Sequence, residues 1–172
     1  MKDTKSFDKN HTCAFTGHRV FVWGDNELDY RCKALKSKLK EAIKKAYDMG
    51  YNTFLDGMAL GGDMLCADMI LGLKSKYKDL RLVCVLPCLE QEKLWNDFDK
   101  SRYNYILSQA DEVVCLRDSY CDGCMQARDK FMIDNSSRLI AIFSGKKGGT
   151  SFTVKLAQKD GLDVEIVNPD NL

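Results

Sequence analysis

The chain has no apolar run near the roughly 18 consecutive residues that a membrane span needs. Its first eleven residues, Met1 to His11, are polar and lack the apolar stretch of a signal peptide. Neither membrane insertion nor export is expected, and the protein is expected to be cytoplasmic. Charge of one sign is missing too: 26 Lys and Arg nearly cancel 25 Asp and Glu. No global field therefore draws the chain onto nucleic acid or an anionic membrane. With no clear aromatic-basic stripe either, nucleic acid is not expected as a partner. No repeat, linker or low-complexity tract divides the chain. Its 172 residues, 45% of them hydrophobic, suffice for one buried core and not for two. A single domain over 1–172 is expected, with 1–11 as a flexible N-terminal arm.

Cysteine, by contrast, is plentiful, with eight residues. Disulfide scaffolds are usually below about 80 residues and loop-rich, which this chain is not. Cys13, Cys84 and Cys115 lie within apolar runs, as reduced thiols acting as small core hydrophobes do. Cys84-x-x-x-Cys88 and Cys121-x-x-Cys124 supply a nominal zinc count. A mid-strand Cys84 could not easily meet three partners at tetrahedral geometry, so no metal is expected. Nor does Cys121-x-x-Cys124 sit where a thioredoxin-like motif does, at the helix after the first strand.

Short apolar runs alternate with helical periodicity along the whole length. Thr12 to Phe15 reads as a buried strand that stops at Gly17. From Leu28 to Met49, Leu28, Cys32, Leu35, Leu39, Ile43 and Ala46 recur at three- and four-residue spacing, with Gly50 as C-cap. Strands follow at Tyr51 to Leu55, Arg81 to Leu86, Glu112 to Leu116, Leu139 to Phe143 and Val164 to Val167. Helices lie between them at Met64 to Tyr77, Glu92 to Ala110 (Leu94, Trp95, Phe98, Ile106 and Leu107 inward), Gly123 to Asn135 and Ser151 to Lys159. Six near-continuously apolar strands alternating with five helices predict an α/β fold, a doubly wound, mainly parallel, Rossmann-like sheet with helices on both faces. The commonest strand order, 3-2-1-4-5-6, would open a crevice between strands one and four.

In such sheets ligands bind beyond the carboxyl ends of the strands, and several of those loops are unusual. Thr16-Gly17-His18-Arg19 follows strand one, Asp56-Gly57 through Gly61-Gly62-Asp63 strand two, Pro87 to Gln91 strand three, and Gly145 through Gly148-Gly149-Thr150 strand five. Glycines there let backbone N–H groups and a helix N-terminus cradle an anion. Neither G-x-x-x-x-G-K-[ST] nor G-x-G-x-x-G is present, which disfavours a P-loop NTPase and an ordinary dehydrogenase. Arg19 offers a fork-shaped donor for phosphate. His18, one of two histidines, offers a donor or base. Asp63 reads as an N-cap or an acceptor for ribose hydroxyls, a role for which Asp56 competes. Arg102 and Arg128 either reach the crevice as charge partners or lie at the surface. Tyr120 and Met125 are candidates to line an apolar pocket.

Several of these features in order resemble a known family: Cys13-Ala-Phe-Thr-Gly-His-Arg19, Gly57-x-Ala59-x-Gly61-x-Asp63, Gln91 with Trp95, Tyr120 ahead of Cys124-Met125-x-x-Arg128, and Gly148-Gly149-Thr150. They look like the bacterial YpsA/YoqJ family of the SLOG superfamily, which also holds DprA and the LOG phosphoribohydrolases. The resemblance runs from about Cys13 to Val167. It implies a Rossmannoid fold whose glycine loops bind a nucleotide or an ADP-ribose-like or NAD-derived ligand, more often as a regulator than as an enzyme. Two positions depart from the family pattern, Val20 where proline is usual and Asp129 where asparagine is. LOG enzymes carry a glutamate shortly after their second glycine motif, whereas here Ser151-Phe152-Thr153-Val154 follows Thr150.

The main expectation is therefore binding of a small phosphorylated ligand by Thr16, Gly17, His18, Arg19, Asp56, Gly57, Gly61, Gly62, Asp63, Arg128, Gly148, Gly149 and Thr150, with no certain cofactor. A regulatory protein partner and a homodimer or higher oligomer go with it. The alternative is a nucleotide N-glycosidase in which Asp63 or Glu90 replaces the missing glutamate, with His18 a further catalytic candidate.

Overall fold

The computed structural model describes residues 6–172. Six parallel strands form one sheet: β1 (Thr12–Gly17), β2 (Thr53–Asp56), β3 (Arg81–Leu86), β4 (Glu112–Cys115), β5 (Arg138–Ile142) and β6 (Asp163–Val167). Between them run α1 (Tyr30–Asp48), α2 (Gly62–Leu73), α3 (Asp97–Gln109), α4 (Cys124–Asp134) and α5 (Gly149–Lys159). Successive residues of a strand point to opposite faces, and here both faces are dry. Cys13, Phe15 and Phe54 pack with Leu35 and Leu39 of α1, Met64 of α2 and Tyr103 of α3. Ala14, Leu55, Leu139 and Ala141 pack with Met132 of α4 and Val154 of α5. The sheet is thus doubly wound, as the burial of β1, β2 and β5 on both faces requires.

The strand order is β4-β3-β2-β1-β5-β6, which corrects the expected 3-2-1-4-5-6. β5, and not β4, lies beside β1, with Ala14 opposite Leu139 and Gly17 opposite Ile142. Burial explains the order. All five residues of β5 are buried, so it needs neighbours on both sides. The Glu-Val-Val-Cys of β4 is only half-buried and tolerates an edge. Cys115 is accordingly partly exposed and not a core thiol. The chain winds from β1 out to β4, then returns through α4 to β5, so the reversal in strand order falls between β1 and β5.

Local signals shift several boundaries. Asp29 caps α1 by accepting from the Arg31 amide at 2.8 Å, which leaves Leu28 outside the helix and 80% exposed. Asn96 caps α3 by accepting from the Asp99 amide at 2.8 Å. The segment from Glu92 is therefore not helical, and Leu94 and Phe98, expected inward, face solvent. Residues 7–11 of the expected arm lie on the body. The Phe7 amide donates to Asn135 Oδ1 at 3.2 Å, the Phe7 ring meets Phe131 edge-on, and Lys9–His11 forms a 3-10 turn. Residues 1–5 of that arm lie outside the described residues. No helix of the described residues is long and apolar enough to cross a membrane.

The end of β1 meets the start of α2 backbone to backbone. A Cβ on Gly17 would sit 2.9 Å from Gly62 Cα, one on Gly62 would sit 2.8 Å from Gly17 Cα, and the Gly62 amide donates to the His18 carbonyl at 2.9 Å. Neither backbone can retreat without dislodging a central strand. Gly62→Ala should lower unfolding stability by ~1–3 kcal/mol. Gly72→Ala, in the same helix with open space at its Cβ, should instead raise it by up to ~1 kcal/mol. Urea denaturation of both variants checks the pair.

Candidate functional site

At the reversal between β1 and β5 lies a cavity of about 340 Å³. It draws on four segments: Thr16 to Arg19 after β1, Ala59 and Asp63 around the start of α2, Met125, Gln126, Arg128 and Asp129 on α4, and Gly148, Gly149, Thr150 and Phe152 at the start of α5. Thr16, Gly17, His18, Arg19, Asp63, Arg128, Gly148, Gly149 and Thr150 are thus brought together. Asp56, Gly57, Gly61, Gly62 and Glu90 do not line it.

The glycines after β2 have steric work of their own. Gly61 has φ +81°, and a Cβ there would lie 2.4 Å from the Arg19 carbonyl oxygen. A Cβ on Gly57 would lie 2.7 Å from Arg128 Cζ. These positions admit a neighbouring chain or side chain, and Gly57 clears the path by which Arg128 reaches the cavity.

Arg128 is 5% exposed. Its Nε donates to Asp129 Oδ1 at 2.9 Å and its Nη1 to the Gly57 carbonyl at 2.7 Å. The other Asp129 oxygen lies 3.0 Å from the Thr153 hydroxyl, itself 3.1 Å from the Gly149 carbonyl. The charge that Asp129 brings in place of a neutral amide is therefore held by a buried cation, and it ties α4 to α5. Arg102, by contrast, pairs with Asp68 and Glu27 away from the cavity.

Asp63 is 4% exposed, and its Oδ2 accepts from the Ala59 amide at 3.3 Å. It does not cap α2, whose N-cap is Gly61. Burial pushes its carboxyl up to about 6 against the pull of Arg128, with Asp129 adding to the rise. Asp56 is wholly buried behind it. Its Oδ1 accepts from the Met58 amide at 2.8 Å, while Oδ2 has no partner. Burial and the neighbouring Asp63 raise the Asp56 carboxyl as well, so it cannot serve as an exposed ribose acceptor. Met58 itself sits at φ +56° and is fully buried, with its carbonyl accepting from Gln91 Nε2 at 2.6 Å. Gln91 thus braces this loop from the far side.

His18 is committed by its hydrogen bonds. Its Nε2 accepts from the Ser144 amide at 2.9 Å, which assigns the proton of the neutral ring to Nδ1. Burial, and then the charge of Lys146, keep the imidazole below its ordinary pKa. His18 therefore staples the loop after β1 to the loop after β5 and has no free lone pair with which to act as a base. Glu90 is further from the role expected of it. Its carboxylate is 72% exposed and pairs with Lys93 at 3.5 Å.

Two groups remain open to an anion. Arg19 is exposed and makes no ion pair with a described residue. The start of α5 has no side-chain cap, so its first-turn amides and the positive end of its dipole face the cavity at Gly149 and Thr150. Phe152 and Gln126 went unnoticed in the sequence. Phe152, 45% exposed one turn into α5, could have been read from its place just after Gly149-Thr150. Met125 lines the cavity as anticipated, whereas Tyr120 is 67% exposed and does not. Among the described residues no group of three or more His, Cys, Asp or Glu is placed to hold a metal ion.

A family model, YpsA, described as the YspA SLOG family, matches residues 13–172. The chain belongs to the YpsA SLOG family. It is similar to the UPF0398 protein YpsA of Bacillus subtilis (strain 168), 29% identical over 171 residues, covering 92% of this chain and 93% of that protein. It is also similar to a UPF0398 protein of Bacillus thuringiensis (strain Al Hakam), at 28% over 152 residues, with 86% and 83% covered. Two solved structures share the fold. DNA processing protein A (DprA) from Streptococcus pneumoniae superposes with a TM-score of 0.63 at 15% identity. DprA from Helicobacter pylori superposes at 0.64 and 18%. The chain is covered to 91% and 93% in these matches but spans 50% and 66% of the two DprA chains.

The H. pylori structure is described by its single-stranded DNA binding mode. This overturns the expectation that nucleic acid is not a partner class. Net charge near zero describes the whole surface, whereas a nucleic-acid strand needs only a local set of donors.

Because Asp63 holds its proton more tightly when folded than the usual carboxylate value of 3.8, the folded chain binds more protons than the unfolded one between about pH 4 and 6. The contribution of this group to stability should therefore fall as pH rises through that window. Asp63→Asn should flatten that slope, as read by urea denaturation at pH 4, 5, 6 and 7.

Proposed function

We propose that the cavity binds a small phosphorylated ligand of nucleotide or ADP-ribose type, and that the chain acts as a cytoplasmic binding and sensing protein. The observation that carries this reading is the convergence of the unpaired Arg19 and the uncapped start of α5 on one cavity. Both favour an anion, and neither is satisfied by the protein itself. About 340 Å³ falls in the range of small-molecule sites. Beyond the anion groups, Phe152 and Met125 offer apolar surface for a base, and Asp63 offers an oxygen pair for ribose hydroxyls.

Adenosine monophosphate, ADP-ribose and NAD, with an oligodeoxythymidine in the same panel because a DprA of this fold binds single-stranded DNA, test the reading by thermal shift. At least one of the three mononucleotide or dinucleotide ligands should raise the melting temperature. Arg19→Ala should weaken its binding at least ~10-fold, or about 1.4 kcal/mol. No shift from any of them, or equal shifts on the variant, would remove the basis of the proposal.

A second reading, cleavage of a nucleotide N-glycosidic bond, is favoured by one observation. Asp63 and Asp129 place carboxyl groups on the cavity wall, although none follows Gly148-Gly149-Thr150 in the sequence. Burial raises the Asp63 carboxyl to about 6, which suits it to pass a proton to a departing base. Incubation with nucleoside monophosphates should then release free base, and Asp63→Asn should abolish the release. A wild type that releases none retires this reading and leaves the binding reading intact.

A further inference from the structure

Cys121-x-x-Cys124 finds no use in the anion site, yet the structure sets it against that site. Cys124 is the first residue of α4 and is 1% exposed. Its thiol neighbours that of Cys88, also 1% exposed, which burial and then Cys124 push above the ordinary thiol value. Cys115 and Cys121 lie near enough to act on Cys88 as well. Four of the chain's eight cysteines therefore gather where β3 and β4 end.

Cys121 differs from Cys88 and Cys124 in being reachable. It is half-buried at the end of a strap in which residues 117–120 are exposed. The Cys124 amide donates to the Cys121 carbonyl at 3.1 Å, so the two cysteines are the first and last residues of a hydrogen-bonded turn. Cα atoms at the ends of such a turn lie within about 7 Å, which reaches the ~4.4–6.8 Å that a disulfide spans. Gly123 between them is in the left-handed region, at φ +79° with no neighbour at its Cβ. The next residues of α4, Met125 and Gln126, line the cavity, followed by Arg128 and Asp129.

We propose that Cys121 and Cys124 form a peroxide-sensitive dithiol, and that closing it into a disulfide shifts the first turn of α4 and so alters the cavity. The Cys121 thiolate attacks hydrogen peroxide, the O–O bond breaks, and hydroxide leaves to take up a proton as water, giving a sulfenic acid. The Cys124 thiol, losing its proton, attacks that sulfur, and the S–O bond breaks with release of a second water. Two thiols are oxidised and one peroxide is reduced to two waters. In the product Cys124 is drawn away from Cys88 towards the strap, and the start of α4 must follow. The effect on ligand affinity rests on the proposed function, whereas the disulfide does not.

Trypsin cutting after Arg117 and Arg128 isolates both cysteines in residues 118–128. After peroxide treatment and thiol blocking, that peptide should be lighter by two hydrogens relative to its unblocked reduced form, and dithiothreitol should reverse the change. With Cys124→Ser the reaction should halt at a sulfenic acid on Cys121, trapped by dimedone. A peptide that carries two blocked thiols, or a cross-link from Cys124 to Cys88 instead, overturns the dithiol. Hydrogen exchange over residues 124–134 should rise on oxidation, and unchanged protection overturns the coupling without reference to any ligand. Adenosine monophosphate should bind the oxidised and reduced forms with affinities differing at least ~5-fold. Equal binding to both forms also overturns the coupling. If it binds neither form, the mononucleotide reading fails while the mass and exchange results still decide the dithiol.

Discussion

A buried guanidinium organises this site. A cation as enclosed as Arg128 is tolerated only where counter-charge and hydrogen bonds replace its water. The residues around it supply them. Asp129 meets its Nε, the Gly57 carbonyl meets its Nη1, and Asp63 faces it across the cavity. The absence of a side chain at Gly57 follows from the need to let the guanidinium pass. The Thr153 hydroxyl follows from the second oxygen of Asp129. In this way α4, α5 and the loop after β2 are tied through one charge, and a change at any of them reaches the others.

That arrangement divides the cavity into two ends of different character. The Arg128 end is enclosed, with its guanidinium held by Asp129 and the Gly57 carbonyl and with the Asp63 carboxyl raised by burial. The end formed by Arg19 and the start of α5 is open, with donors that the protein does not use. Under the proposed function, an anion would be met at the open end. His18 spends its Nε2 lone pair on a contact within the protein. By accepting from the Ser144 amide it holds the loops after β1 and β5 together, and so keeps the two ends in register.

The alternation of strands and helices was legible in the sequence because the central strands are apolar runs, while α1 and α5 carry apolar residues at helical spacing. Ile140 and Ala141 are buried on opposite faces of the sheet, as the Leu-Ile-Ala-Ile run suggested. Helix starts were less legible, since a capping side chain such as Asp29 or Asn96 outweighs the hydrophobic spacing that precedes it. For Leu94 that spacing pointed inward while the chain had not yet entered the helix, and Phe98, in its first turn, faces solvent. The loop after β1, singled out by Gly17 and Arg19, does line the cavity. The part played by Asp129 was not, since pairing with Arg128 and contact with Thr153 of another helix leave no mark in local sequence.

By itself the sequence determined that this is a doubly wound α/β chain of the YpsA SLOG family with glycine-bearing loops at its strand ends, since hydrophobic period and motif order are properties of neighbours along the chain. Tertiary structure alone decided that β5 lies beside β1, that Gly57, Gly61 and Gly62 make room for other parts of the chain, and that Glu90 lies outside the cavity. It also decided that carboxyl groups reach the cavity from α2 and α4. Strand order and charge pairing depend on which segments end up side by side, and that is settled by the burial of whole elements against one another.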